Sequence, residues 1–279
     1  MGAIRWMVVL GILAWNGACG KDRVEAAARK AQPVVKDVSA SVTGRVVLAS
    51  GARLPRYAAA SLQRRVLRVG IKGPQPACAA QAEAASLAVN VTGDGALVGV
   101  AVVASGFTKP AIRPPQVHEV VIDECRLQPS MLVAMKGDEI VIRNNVDFPF
   151  MPMYGTTSMA RSLLPGQQFD FKLDQGGHRD AIVCAVTAMC GRTDVLTLHH
   201  RLYAVTDERG RFRIEDFPAD EPVRLSVWHP LFASVTQEVQ VAIGEDKEIE
   251  FVVTPHTLED VAAAAESAAT VEGHQGGQR

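Results

Sequence analysis

The chain has 279 residues, 48% of them hydrophobic and 21% charged, with 23 glycines and 15 prolines. That balance excludes a disordered or collagen-like polypeptide and suits a chain of about two domains able to bury ordinary cores. Lys and Arg number 29 against 30 Asp and Glu, a formal net charge of -1, so no global field gathers nucleic acid and none is expected as a partner.

Residues 1–18 read as a signal peptide. Arg5 supplies a basic end, Trp6 to Trp15 an apolar stretch, and Asn16-Gly17-Ala18 a small-residue exit before Cys19. A membrane span needs about 20 apolar residues, so this stretch is too short to anchor the protein by itself. Small residues directly before a cysteine resemble a bacterial lipoprotein cleavage site, which makes Cys19 the lipidation candidate and the membrane a partner through the N-terminal lipid. The alternative is ordinary cleavage near Ala18, leaving Cys19 in a free tail. Residues 19–40 are then the lipidated N-terminus and a polar, Ala-rich linker.

Export places the remaining cysteines, Cys78, Cys125, Cys184 and Cys190, in an oxidising compartment where disulfides persist. Four cysteines allow three pairings, and their spacing does not choose among them.

Beyond the linker the signals are those of strands. Ser41 to Leu48, Val66 to Ile71, Ala96 to Val103 and Val120 to Ile122 are short β-branched runs, separated by Gly73-Pro74 and Gly93-Asp94-Gly95. Met131 to Ala134, Glu139 to Arg143, Phe169 to Leu173 and Ala181 to Val186 follow, with turns at Gly137-Asp138 and Pro165-Gly166. The clearest alternation comes last: Phe212 and Ile214, then Val223, Leu225 and Val227, then Ile249, Phe251 and Val253, as in a sheet with one dry face. The expected fold class is all-β, tandem antiparallel β-sandwiches. The expected domains are an N-terminal β-domain at 41–118, a middle domain at 119–198, a sandwich at 199–255 and a flexible tail at 256–279.

Particular motifs carry a family resemblance. Cys125-Arg126-Leu127-Gln128-Pro129, GDEIVIRNN at Gly137 to Asn145, AVTDERGRFRIEDFP from Ala204, LSVWHP from Leu225, and GRVV at Gly44 to Val47 together resemble bacterial cell-envelope proteins. In those proteins a plastocyanin-like (cupredoxin) domain is joined to carboxypeptidase regulatory-like, transthyretin-type sandwiches. The resemblance implies a central cupredoxin-like domain.

It also implies a copper centre whose ligands are here largely replaced. A blue-copper site takes two imidazoles, a thiolate and a weak thioether. The place of the first imidazole falls at Phe150 or Met151, and the late loop, where the family has Cys, His and Met, reads Cys184, Thr187 and Cys190. A second thiol in place of the thioether implies a Cys184–Cys190 disulfide, which leaves Cys78 to pair with Cys125. No metal or other cofactor is expected. The alternative is an atypical copper site built from Cys184, Cys190, Met151, Met153 and Met189, since sulfur donors select Cu(I). His199-His200 resembles metal-ligand spacing, but adjacent strand residues face opposite ways, so at most one imidazole can face a single site.

No catalytic residue is assigned. Gly176-Gly177-His178-Arg179-Asp180 reads as a turn without a serine elbow or nucleotide motif, and Glu215-Asp216 and Glu245-Asp246 read as solvated turns. The expected function is a non-catalytic envelope lipoprotein, in the outer membrane facing the periplasm or at the cell surface. It would act as a binding or structural module for an envelope protein or glycan. The alternative is a copper-binding or electron-transfer protein.

Overall fold

The computed structural model describes residues 40–57, 63–64, 78, 89–109, 111–155, 162–185 and 190–256. In chain order the strands are β1 (Ala40–Leu48), β2 (Gln63–Arg64), β3 (Asn90–Val91), β4 (Leu97–Val98), β5 (Ala101–Ser105), β6 (Val117–Asp123), β7 (Arg126–Gln128), β8 (Met131–Met135) and β9 (Glu139–Asn144). They continue with β10 (Pro152–Tyr154), β11 (Gln168–Lys172), β12 (His178–Ala185), β13 (Arg192–Leu198), β14 (Tyr203–Val205), β15 (Arg211–Phe217), β16 (Val223–Trp228), β17 (Val235–Val239) and β18 (Asp246–Val253). No α-helix occurs among the described residues. The all-β class therefore stands. The signal peptide, Cys19, the linker, Val66 to Ile71, Gly73-Pro74 and the tail from 257 lie outside the described residues.

Period-two burial makes these segments strands. Along β15 the pattern puts Phe212 and Ile214 inside and Arg211 and Arg213 outside. Among the described residues, four sheets of three or more strands form, ordered β15-β1-β18, β14-β5-β16-β17, β10-β12-β13-β8 and β11-β9-β6-β7, with β2 added beside β12. Most ladders are antiparallel, but β1–β18, β2–β12, β8–β13 and β6–β9 run parallel.

These sheets stack as successive layers. The first packs on the second through Val42, Val46, Phe212 and Phe251 against Val102, Ala104, Leu225 and Val227. The third packs on the fourth through Leu132, Ile182, Cys184 and Val195 against Val120, Ile140, Phe169 and Phe171. A smaller core joins the two sandwiches: Ala101 on β5 meets Met131, Val133, Leu196 and Leu198, with Tyr203, Val205 and Trp228 packed around them.

This topology corrects the expected domain boundaries. Residues 41–118 do not form a domain apart from 199–255, because β1 pairs with β15 and β18, and β5 pairs with β14 and β16. One outer sandwich is built from both ends of the chain, and the block from β6 to β13 is inserted into it. The physical reason is that β1 and β5 complete their sheets only with C-terminal strands and share one core with them. Ala96 to Val103 is also not one strand: Gly99, at φ 78°, breaks it between β4 and β5.

The passage from one sandwich to the other is pinned by a buried carboxylate. Asp138, fully inaccessible, accepts two hydrogen bonds from the Arg113 guanidinium at 2.7 and 2.6 Å. It accepts others from the backbone N–H groups of Gln116 and Met135, and the His118 ring lies 2.8 Å away. Arg113 also donates to the Tyr203 hydroxyl on β14 at 3.2 Å, so one guanidinium ties the outer sandwich to the insert.

Candidate functional site

The region that the sequence singled out lies at one end of the inserted sandwich, where the chain leaves β9. Asn144 is fully buried and holds the following loop: its side-chain amide donates to the carbonyls of Phe148 and Leu163, and its oxygen accepts from the Val146 N–H. That anchoring delivers Phe150, 0% exposed, into the core, edge-on to Phe148 at a ring separation of 5.7 Å. Cys184 and Cys190, also fully buried, are joined in a disulfide with Cα atoms 5.5 Å apart, in the same core as Phe150.

Cys78 and Cys125 form the second disulfide, Cα atoms 5.6 Å apart, in that core as well. Both pairings implied by the resemblance are present.

The strand register separates the alternative sulfur donors. Pro152 faces Cys184 and Met153 faces Val183 across the β10–β12 ladder. Paired residues share a face and successive residues alternate, so Met153 points to the side opposite Cys184. Met151 shares Met153's parity, while Phe150 and Tyr154 share that of Pro152 and pack in or against the disulfide's core. Met189 lies outside the described residues. Phe150 has no donor atom, and disulfide sulfurs are not thiolates. No group of three or more His, Cys, Asp or Glu suited to a metal occurs among the described residues. These residues do not fit a blue-copper centre.

Other singled-out histidines are dispersed. His199 and His200 lie in a bend after β13, not on a strand, which corrects the expectation of alternating faces. The His200 ring packs edge-on against Phe107 at 5.0 Å, and burial, then the neighbouring His199, lowers its basicity. His178 heads β12 with Asp180 at 3.4 Å, and only Gly176 and Gly177 of that cluster form a bend.

A network that sequence reading missed occupies the sandwich junction. On β13, Arg192 and Asp194 point to the outer face, where the Arg192 guanidinium donates to Asp194 Oδ1 at 2.7 Å. The Tyr57 hydroxyl donates to Asp194 Oδ2, and Arg192 stacks over the Tyr57 ring at 5.0 Å. The Tyr57 ring is 6.4 Å from that of His229. Burial, then the charge of Asp194, pushes the Tyr57 phenol far above its usual range. Burial likewise raises the Asp194 carboxyl, against the pull of Arg192. His229 is 2% exposed; burial, then the charge of Arg192, depresses it to about 3, so the imidazole is neutral. Its Nδ1 accepts from the Leu231 N–H at 3.2 Å, which leaves the proton on Nε2.

Beside this network a cleft of ≈ 450 Å³ opens between the sandwiches. The insert contributes Arg126, Gln128, Ser130 and Arg192, and the outer sandwich contributes Asn90, Gly99, Asp207 and Glu208. The two walls approach where a Cβ on Gly99 would lie 3.3 Å from Ser130 Oγ. Arg126 stands just after a tight turn in which Glu124 and Cys125 both have positive φ, 44° and 60°. Non-glycine residues adopt that conformation at a cost, and the Cys125–Cys78 bond ties this turn to the core.

No known family profile and no curated protein sequence matches the chain. Among solved structures, amicyanin from Paracoccus versutus aligns over 34% of this chain and 96% of its own length, at 11% identity and a TM-score of 0.26. A copper-containing nitrite reductase from Thermus scotoductus aligns over 48% of this chain and 28% of its own, at 12% identity and a TM-score of 0.26. Likenesses at this level carry no argument about chemistry, and the site rests on its own geometry.

Proposed function

We propose that the chain is a non-catalytic cell-envelope lipoprotein, held at the outer membrane through lipid on Cys19, whose body is a binding module. The observation that carries this reading is the cleft between the two sandwiches, lined by charged and apolar side chains, of a size that suits a small ligand and at the kind of junction where ligands commonly lodge. The filled end of the inserted sandwich adds support. Phe150 and the Cys184–Cys190 disulfide make a continuous apolar core where electron transfer would need converging donors. A fold of this kind hosts many functions, so the argument rests on the site and not on the architecture.

The competing copper reading makes an opposite demand on the same residues. Metal content and free thiols measured together on the full chain, purified oxidised in detergent without chelator, separate the two. No copper, no free thiol and no tight Cu(I) uptake after mild reduction are expected. Stoichiometric copper that disappears on replacing Cys184 and Cys190 would overturn the binding-module reading. Incorporation of labelled fatty acid, abolished in Cys19→Ser, tests the anchor.

A further inference from the structure

The cleft has an asymmetry that goes beyond its size. Its positive side chains, Arg126 and Arg192, come from the insert, whereas its negative ones, Asp207 and Glu208, come from the outer sandwich. The two arginines are not equivalent. Arg192 is committed to Asp194, with Nε and Nη2 both at 2.7 Å from its Oδ1. Among the described residues Arg126 is held at its tip, where Nη2 reaches Glu124 at 3.5 Å, and its buried Nε–H finds no acceptor. A buried guanidinium N–H without an acceptor is energetically unfavourable, and the best acceptor for it is a carboxylate or phosphate oxygen.

The acidic wall chooses between those anions. Asp207 is exposed and has Oδ1 engaged by the backbone N–H groups of Arg209 and Arg211. Glu208 is exposed beside it at the tip of the same turn. Two carboxylates facing a dianion would repel it, whereas a monoanion carrying its own ammonium group matches both walls.

We infer that the cleft binds a small zwitterion of the amino-acid or short-peptide class, its carboxylate seated on Arg126 and its ammonium group toward Asp207 and Glu208. The inference rests on the binding-module reading and names its ligand. The walls meet at this cleft, so such a ligand bridges insert and outer sandwich. Seated there, its carboxylate meets the part-exposed tip of a guanidinium whose contact with Glu124 is long, at 3.5 Å.

Calorimetric titration of the full chain in detergent with free alanyl-alanine tests it. Three further titrants serve as comparisons: the N-acetylated dipeptide, the C-terminally amidated dipeptide and inorganic phosphate. Saturable binding of the free dipeptide is expected, at least about tenfold tighter than either capped form or phosphate, which is about 1.4 kcal/mol. Arg126→Gln, which removes that unpartnered N–H, should weaken the free dipeptide about tenfold with a melting temperature no lower than wild type. Glu208→Gln should erase most of the preference over the N-acetylated form.

No saturable binding of the dipeptide, equal affinity for a capped form, tighter binding of phosphate, or an Arg126→Gln protein that binds as before would each overturn the assignment. The binding-module reading fails separately, by stoichiometric copper in the thiol and metal assay. A dipeptide failure with copper absent therefore sinks only the ligand.

Discussion

Val102 and Val103, neighbours in β5, belong to two different cores: Val102 packs against Phe251 and its surroundings in the outer sandwich, and Val103 against the Met131 to Leu198 cluster that faces the insert. One strand thus couples the two sandwiches through its opposite faces.

That coupling predicts joint unfolding. Calorimetry of the wild-type chain should show one cooperative transition. Leu196→Ala should lower stability by about 2–5 kcal/mol, because Leu196 is 4% exposed in the joining core. Leu196→Asp buries a charge between the sandwiches and should split the melt into two transitions. A single transition retained in Leu196→Asp would mean that the sandwiches are not coupled through this core.

The same arrangement explains what was legible from residues alone. Strands β15, β16 and β18 lie where one face is wet, and their alternation was readable. β8 reads MLVAM and is buried at every position, since its two faces serve two cores; no period could reveal which layer it occupies. The insertion itself was hidden because a strand's pattern says nothing of its partner: β1 pairs with β18 some 200 residues away. The disulfides were legible through the motif, whose late loop brought Cys184 and Cys190 together. The Tyr57, Arg192, Asp194 and His229 network was not, since its members are scattered along the chain. Asp138, read as a turn residue, proved to be a buried carboxylate whose role follows only from Arg113 and Tyr203 arriving beside it.

The two disulfides should differ in worth. Cys78–Cys125 spans 47 residues and Cys184–Cys190 spans 6. Loop-closure entropy assigns about 4 kcal/mol to the first and about 2 kcal/mol to the second. Denaturant melts of the paired Ala variants should therefore show the larger loss for Cys78→Ala/Cys125→Ala. The reverse order would show that strain at the short loop, not chain entropy, sets the difference.

Asp138 should be costly to alter. Removing it strands Arg113, and Arg113→Met strands Asp138; loss of either partner of such a pair costs about 3–5 kcal/mol. Burial alone would raise the Asp138 carboxyl, but the hydrogen bonds from Arg113, Met135, Gln116 and His118 outweigh it and hold it far below the usual carboxylate range. A depressed folded value means that the stabilisation is present above the unfolded carboxylate range and is lost as pH falls below about 4. Asp138→Asn, less stable at neutral pH, should therefore show a shallower acid limb than wild type. An equal slope in both would remove Asp138 from the acid response.

His229 should act on a different window. It stays neutral in the fold down to about 3, while in the unfolded chain it takes up a proton near 6.5, the ordinary imidazole value. Between those values the unfolded state binds more protons, so stability is full above 6.5 and declines as pH falls toward 3. Charging the ring in place would put a cation beside Arg192 in a site that excludes water, so the fold yields before the imidazole does. His229→Asn keeps a side-chain acceptor for the Leu231 N–H but cannot titrate. Urea midpoints measured at half-unit steps from pH 7 to pH 4 should fall more steeply for wild type than for His229→Asn. Parallel curves would mean that the buried imidazole accepts its proton without opening the outer sandwich, and that Tyr57 and Asp194 yield to it instead.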